Sequence, residues 1–258
     1  MDPGSTTQDH RNSGTMTDDI KSTPLARFVT DLETAHADNL SSVTLYGSGA
    51  RDDANAAARY DVLIVLQRLQ FDDLRRAVEP IRNWTSSGQP MPVYFSRDEL
   101  QRAADVFPVE FLQMEQARKI LFGSDPFEFV EISQANLRHQ TEYELRTKCL
   151  QLRRLYFSSA ASPDQLTRLM TDSLSSFAAL FRAVLILHGA APPLSKRDAI
   201  RATARVLGLD IAPFNQLLEL SEQKKTRLTK SDTESLFGNY LNEIQKVIDE
   251  VDQIERKS

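Results

Sequence analysis

Cysteine and histidine are scarce in this sequence, which has one cysteine and four histidines among its 258 residues. Cys149 has no second cysteine with which to form an internal disulfide bond or a zinc site of the CxxC type. The sequence therefore excludes a disulfide framework and a cysteine-based metal centre. It predicts a protein of a reducing compartment, the cytoplasm.

Long apolar runs are also missing. The most apolar stretch, residues 177–191, is shorter than the roughly 20 residues of a bilayer span and carries Arg182 and His188, so we expect a buried helix there. Residues 1–22 lack the apolar core of a secretion signal and are rich in serine, threonine, aspartate and glycine. They are predicted to form a disordered tail.

Positive charge is in deficit, because 31 lysines and arginines stand against 36 acidic residues, for a formal net charge of −5. General nucleic-acid binders usually present a basic surface, so that class is not expected. The deficit is uneven along the chain: residues 1–132 hold 13 basic and 21 acidic residues, and residues 133–258 hold 18 and 15. This division indicates an acidic first half and a mildly basic second half.

Hydrophobic residues make up 41% of the chain, enough for a packed core, and the length suggests two domains. The first, residues 23–132, alternates helical and strand patterns. Helices are predicted from Pro24 to about residues 36–39, over 71–84 and, briefly, after a capping box at Ser96 and Glu99. Strands are predicted over 42–46, 60–66, 93–95 and 119–123.

Strand signals end near Ser133, and the second domain, residues 133–258, is predicted to be a helical bundle. Its helices are expected over 133–159, 163–189, 195–207, 211–224 and 232–256, with Ser231 and Glu234 as a capping box for the last. The predicted fold class is α+β: a small mixed sheet with helices, followed by an all-α domain.

One motif carries the functional prediction. The first strand ends at Gly47-Ser48-Gly49, and the second begins with Asp61, the only acid in an otherwise apolar run to Leu66. Glycines permit a tight turn at a strand end, and such a turn can hold phosphate through backbone N–H groups and a hydroxyl. An acidic side chain at the start of a buried strand is costly to bury and therefore requires a structural or functional explanation.

This run resembles the signature of the nucleotidyltransferase superfamily, the polymerase-β-like fold. In that family a strand ends in Gly-Ser, and the next strand carries two acids separated by one residue. Carboxylates at positions i and i+2 share one face of a strand, and with a third from a neighbouring strand they hold Mg²⁺ on a nucleoside triphosphate. The resemblance covers about residues 25–250 and extends to a bacterial subgroup with an incomplete acid set and a helical C-terminal domain.

The sequence departs from the family pattern at the metal ligands. Asp61 takes the place of the second acid, Arg59 stands where the first should be, and Ala58 replaces the usual serine. In the other register Asp61 is the first acid and Leu63 replaces the second. The strand near residues 91–95 contains no third carboxylate, since Asp98 and Glu99 lie at the following helix start.

The resemblance therefore implies a nucleotidyltransferase-like protein with a degraded metal site, which binds a nucleotide or a partner with little or no transfer. The candidate nucleotide-binding residues are Gly47, Ser48 and Arg59, whose guanidinium could bind phosphate without a metal. Asp61 is the candidate catalytic residue and metal ligand. Mg²⁺ is the expected cofactor if the protein is active, and no cofactor otherwise.

Several alternatives stay open. The protein could be an active nucleotidyltransferase acting on a small molecule or a protein, and the acceptor is not specified. The Arg182 to His188 spacing favours, more weakly, a HEPN-type ribonuclease; an antitoxin-like interaction module is a further alternative. The Gly-Ser turn could also be an ordinary turn, and Asp61 could pair with Arg59 or Arg51. The cations of the first bundle helix could simply pair with Glu142 and Glu144.

Overall fold

The structure, a computed structural model, describes residues 23–50, 59–222 and 228–254. The predicted tail at residues 1–22 therefore lies outside the described residues. Within them, four strands form one sheet in the order β3-β2-β1-β4. They are β1 (Leu40–Tyr46), β2 (Asp61–Leu66), β3 (Val93–Ser96) and β4 (Arg118–Gly123). β1 is antiparallel to β2 and β4, whereas β2 and β3 are parallel, which confirms the predicted small mixed sheet.

Helices cover both faces of this sheet. They are α1 (Pro24–His36), α2 (Phe71–Ser86), α3 (Arg97–Arg102) and α4 (Pro108–Gln116). Val62 and Ile64 of β2 pack with Phe28 of α1 and Trp84 of α2 on one face, and Leu63 packs with residues of α3 and α4 on the other. Because successive side chains of a strand point to opposite faces, the apolar run of β2 is explained by burial on both sides.

The second half of the chain is helical, as predicted. Its helices are α5 (Gln134–Ser159), α6 (Pro163–Leu187), α7 (Lys196–Leu207), α8 (Ala212–Glu222) and α9 (Lys230–Gln253). The α6 helix is long and apolar enough to cross a membrane by length and composition. Phe177, Phe181 and Val184 of this helix are nevertheless buried in the bundle, so α6 serves as its central core helix.

The predicted start of the last helix was wrong. Thr229, and not Ser231, is the N-cap of α9. The Thr229 hydroxyl accepts a hydrogen bond from the Asp232 backbone N–H at 3.2 Å and donates one to the Asp232 carboxylate at 2.6 Å. Two side chains three residues apart thus satisfy the helix start, two residues earlier than the Ser231 and Glu234 pattern indicated.

The short helix α4 connects the sheet to the bundle. Phe111 and Met114 pack with the sheet residues Leu63 and Val65, whereas Val109 is buried in the core of the bundle. The Gln140 side chain of α5 accepts a hydrogen bond from the Val109 backbone N–H at 2.8 Å. Residues of one helix therefore belong to two hydrophobic cores.

Gly123, at the end of β4, is a position where the fold requires glycine. Its φ is +74°, and a Cβ there would overlap the backbone carbonyl of Ser41. We expect Gly123→Ala to lower the free energy of unfolding by about 3 kcal/mol, because backbone strain and a backbone clash add. Gly88→Ala is the matched control: φ is +85°, but no atom lies within 4 Å of the added Cβ.

The Gly88 variant should lose only about 1 kcal/mol, the cost of a left-handed conformation alone. Chemical denaturation of the two variants beside the parent protein measures both losses. Equal losses would contradict the close approach of β4 to the start of β1.

Candidate functional site

The predicted glycine turn and the predicted acid meet at one end of the sheet. Tyr46, the last residue of β1, is the register partner of Asp61, the first residue of β2. Gly47 follows with a φ of +72°, and a Cβ on it would lie 3.5 Å from Oδ2 of Asp61. The turn therefore lies at ordinary contact distance from the Asp61 carboxylate, and the positive φ would strain a larger residue at position 47.

The turn itself is a short 3-10 helix, Gly47–Ala50. The Gly47 N–H donates to the carbonyl oxygen of Ala117 at 2.9 Å, so this donor stabilises the turn and cannot be counted as a phosphate ligand. Ser48 is exposed, and its hydroxyl remains the predicted phosphate contact. The predicted phosphate cradle is thus reduced by one backbone N–H.

Sequence reasoning did not assign a role to Gly49. This residue is buried, and a Cβ on it would lie 2.8 Å from the carbonyl oxygen of Arg59 and 3.0 Å from the ring of Tyr60. The second glycine of the motif therefore lets the turn pack against the residues that precede β2. The Gly-Ser-Gly sequence was the only signal for this contact, and it does not name the partner.

Arg59 is exposed and lies two residues before Asp61. Burial raises the pKa of the Asp61 carboxyl, and the positive charge of Arg59 offsets part of that rise. Within the described ranges the two side chains do not form an ion pair, and Arg51, the other predicted partner of Asp61, lies outside those ranges. The guanidinium and the carboxylate are close enough to influence each other without being bound together.

The negative charge of Asp61 also affects the pKa of Tyr46. Burial and then the negative charge of Asp61 raise the pKa of its phenol to about 12, so the phenol stays neutral at physiological pH. The phenol of Tyr46 therefore adds no fixed charge to this end of the sheet.

The described residues do not fit a magnesium centre of the family type. Val93 and Phe95 of β3 lie beside Leu63 and Val65 of β2 and pack on the face that Asp61 shares. The β3 residues on this face are therefore apolar, as the sequence indicated. Within the described ranges no group of three or more histidine, cysteine or acidic residues could hold a metal.

Arg118, at the start of β4, is a further residue of this end of the sheet. It is the register partner of Tyr46 on the side away from Asp61. Its Nε and Nη2 donate to Asp125 Oδ2 at 3.1 and 2.6 Å, and the guanidinium lies 5.7 Å from the centre of the Phe127 ring. Burial would raise the pKa of Asp125, but these hydrogen bonds and one from the Phe127 N–H lower it.

Arg118 thus fixes the segment after β4 and is committed to protein contacts. Sequence reasoning missed it because no local pattern shows that Asp125, seven residues later, returns to the strand start.

The cations predicted on the first bundle helix pair mainly on their own helix. Glu142 accepts from Arg138 at 2.9 Å and from Arg146 at 2.7 Å, and Lys148 lies 3.5 Å from Glu144. The predicted pairing with Glu142 and Glu144 is confirmed for Arg138, Arg146 and Lys148, but Arg138 is buried and so is not part of a solvated helix face.

Arg182 and His188 lie near the C-terminal end of α6 and have structural roles there. Their spacing had favoured a ribonuclease. The Arg182 Nε and Nη2 donate to the carbonyl oxygens of Pro193 and Leu194 at 3.0 and 2.6 Å. His188 is the C-cap residue of α6. The guanidinium holds the following loop in place, which accounts for this arginine without a ribonuclease site.

No family model matches the sequence, and no curated protein matches it significantly. Among solved structures, the fold is similar to that of a spectinomycin adenyltransferase from Enterococcus faecialis, whose crystal structure contains ATP and spectinomycin. The chains are 13% identical, and the match covers 86% of this chain and 98% of that chain with a TM-score of 0.53. A likeness at this identity concerns the fold alone. The chain has a nucleotidyltransferase-like fold.

Proposed function

We propose that this protein binds a nucleoside triphosphate, or a partner that presents phosphate, at the end of the sheet formed by Gly47, Ser48, Arg59 and Asp61, with little or no nucleotidyl transfer. One observation carries the proposal: the glycine turn lies against Asp61, while the neighbouring positions of β3 are Val93 and Phe95. In this proposal the exposed Ser48 hydroxyl and Arg59 contact the phosphate, the Gly47 N–H is taken by Ala117, and the carboxylate half of the site is reduced.

Arg59 supplies the positive charge that Mg²⁺ supplies in a complete site. A guanidinium can donate two parallel hydrogen bonds to a phosphate, and such charge-assisted bonds are among the stronger ones in proteins. Its exposure and its electrostatic influence on Asp61 support this assignment. Binding is therefore metal-independent in this proposal, and Asp61 opposes it through charge repulsion.

A second candidate is an active transferase that adds a nucleotide to a small molecule or a protein. The bound ATP and spectinomycin of the structurally similar adenyltransferase favour it. In this candidate Mg²⁺ is the cofactor and Asp61 is its ligand and the catalytic residue. The acceptor is not specified by the residues described. A cytoplasmic location and the absence of general nucleic-acid binding remain predictions in both candidates.

The two candidate functions predict opposite effects of Asp61 on the affinity for ATP, so calorimetric titration with ATP distinguishes them. In EDTA, we expect ATP to bind the parent protein, and Asp61→Asn to bind it about fivefold more tightly because one repulsive charge is removed. Arg59→Ala should bind about tenfold more weakly, because a charge-assisted hydrogen bond is lost.

Arg68→Ala is the matched control, since Arg68 is an exposed arginine beyond the other end of the same strand. Its affinity for ATP should equal that of the parent. Binding that requires Mg²⁺ and is lost in Asp61→Asn would overturn the metal-independent proposal in favour of the second candidate. Affinity unchanged in Arg59→Ala would also contradict it.

A further inference from the structure

An apolar groove lies between α2 and the edge strand β3. Its volume is about 430 Å³, and its apolar lining includes Leu74, Val78, Ile81, Met91, Pro92 and Tyr94. We call it the α2 groove. Leu74, Val78 and Met91 are 44%, 51% and 68% exposed, and Phe71, 74% exposed, begins the same helix. Exposed apolar side chains that adjoin one another in this way mark an interaction surface.

The wall of the groove is fixed in place. The indole N–H of Trp84 donates to the carbonyl oxygen of Pro90 at 2.9 Å, and the Gln89 side chain accepts from the Tyr60 backbone N–H at 2.9 Å. The first bond holds the segment before β3 against α2, and the second holds it against the residue that precedes β2. The groove is therefore preformed, and an occupant would not have to order it.

The groove does not suit an added strand. β3 is the edge of the sheet, but it has only four residues, and Pro90 and Pro92 immediately before it have no backbone N–H to donate. Prolines at an edge strand block further strand pairing. An occupant must therefore pack its side chains onto α2 itself.

The spacing of the apolar residues along α2 indicates that the α2 helix of a second copy fits this surface. Phe71, Leu74, Val78 and Ile81 are separated by three, four and three residues, the spacing of a helix–helix seam. If a second α2 runs antiparallel, Phe71 meets Ile81 of the other copy and Leu74 meets Val78. Each contact then joins a larger side chain to a smaller one, so the seam is complementary to itself.

The exposed charges of α2 differ in their neighbours between the antiparallel and the parallel arrangement. Asp72, Arg75, Glu79 and Arg82 alternate in sign along the helix, with side chains 62–76% exposed. An antiparallel copy brings Arg82 toward Asp72 and Glu79 toward Arg75, and it also brings the two copies of Arg75 together at the centre, whereas a parallel copy in register places every charge near its own kind. The present pairs, Arg75 with Asp72 and Arg82 with Glu79, are solvated and contribute little, so they can be exchanged.

The exposed apolar area is little more than half of what a standard interface buries on each partner. Phe71, Leu74, Val78 and Met91 together leave roughly 450 Å² open, taking about 150–230 Å² for each whole side chain, and a standard interface buries about 800 Å² per partner. The charged residues beside the seam supply much of the remainder. We propose that the protein forms a symmetric dimer in solution, in which the α2 helices of two copies pack antiparallel through the α2 groove.

Sedimentation velocity of the full chain tests this proposal independently of nucleotide binding. The parent protein is expected to sediment as a species of twice its 29.1 kDa mass, and Leu74→Glu as a monomer, because it places two carboxylates in the centre of the seam. Leu150→Glu is the matched control: Leu150, on α5, is 56% exposed and outside the groove. That variant should remain a dimer.

Two charge variants test the antiparallel orientation. Arg75→Glu alone and Glu79→Arg alone each place like charges together twice per dimer, so each should dimerise about tenfold more weakly. Mixed in equal amounts, they can form a heterodimer in which both pairs again have opposite charges, and dimer should reappear. Thermal melts of each variant establish that the chains are folded.

A monomeric parent protein overturns the proposal, as does a dimer that persists in Leu74→Glu. A dimer that is lost in Leu74→Glu but does not reappear when the two charge variants are mixed overturns the antiparallel arrangement.

Discussion

Incubation with labelled nucleoside triphosphates and Mg²⁺ is expected to give nucleotidyl transfer at least about a thousandfold below that of a nucleotidyltransferase with a complete acid set. Metal ions contribute several kcal/mol to the stabilisation of a phosphoryl transition state, and about 4 kcal/mol corresponds to that factor in rate. Here Asp61 is the acid that begins β2, and Val93 and Phe95 occupy the corresponding face of β3. Transfer is measured as label incorporated into candidate small-molecule acceptors and into the protein itself.

A designed variant tests the same reasoning by adding a carboxylate to the site. Arg59→Asp places a second carboxylate two residues before Asp61, and we expect it to acquire Mn²⁺-dependent nucleotide binding that the parent protein lacks. Arg68→Asp makes the same change of charge beyond the other end of β2 and should not acquire it. Robust transfer by the parent protein that is lost in Asp61→Asn would contradict the prediction and support the active transferase.

The second large effect concerns the core of the bundle. Tyr240 of α9 is fully buried, with its ring 6.1 Å from that of Phe177 and 5.5 Å from that of Phe214. Tyr240→Ala should lower the free energy of unfolding by about 3–5 kcal/mol, because it removes the buried ring and leaves a cavity. Denaturant titration measures the loss.

Tyr240→Phe isolates the contribution of the hydroxyl. The Tyr240 hydroxyl lies 2.9 Å from Oγ of Ser173, which also donates to the Met170 carbonyl oxygen at 2.7 Å. Since Ser173 keeps that second partner, we expect a loss of only about 1 kcal/mol. Phe157→Ala, at a position 83% exposed, should change the free energy of unfolding by less than about 0.5 kcal/mol. A similar loss in Phe157→Ala would contradict the assigned core.

The strands and most helices were predictable because their signals are local. The apolar run after Asp61 and the capping box at Ser96 and Glu99 each depend on neighbouring residues, and both were confirmed. Helix α4 was not predicted as an element of its own. Its buried residues serve two different cores, so they do not form the single apolar face by which a helix is recognised.

The same distinction applies to the candidate site. The adjacency of Gly47 and Asp61 followed from strand order and the turn. The hydrogen bond from Gly47 to Ala117 and the contact of Gly49 with Arg59 depend on register and backbone approach, which residue types alone do not specify. The Arg118 and Asp125 pair depends on a chain reversal after β4, for which the sequence has no distinctive pattern.

The position of α4 bears on how the chain loses its structure. Because Val109 is buried in the bundle core while Phe111 and Met114 are buried against the sheet, disruption of either core withdraws support from the other through one short helix. Heating should therefore produce a single cooperative transition in calorimetry rather than two. Proteolytic cleavage near residues 132–133 should release fragments that lose their structure when separated, even though the sequence changes character at that point.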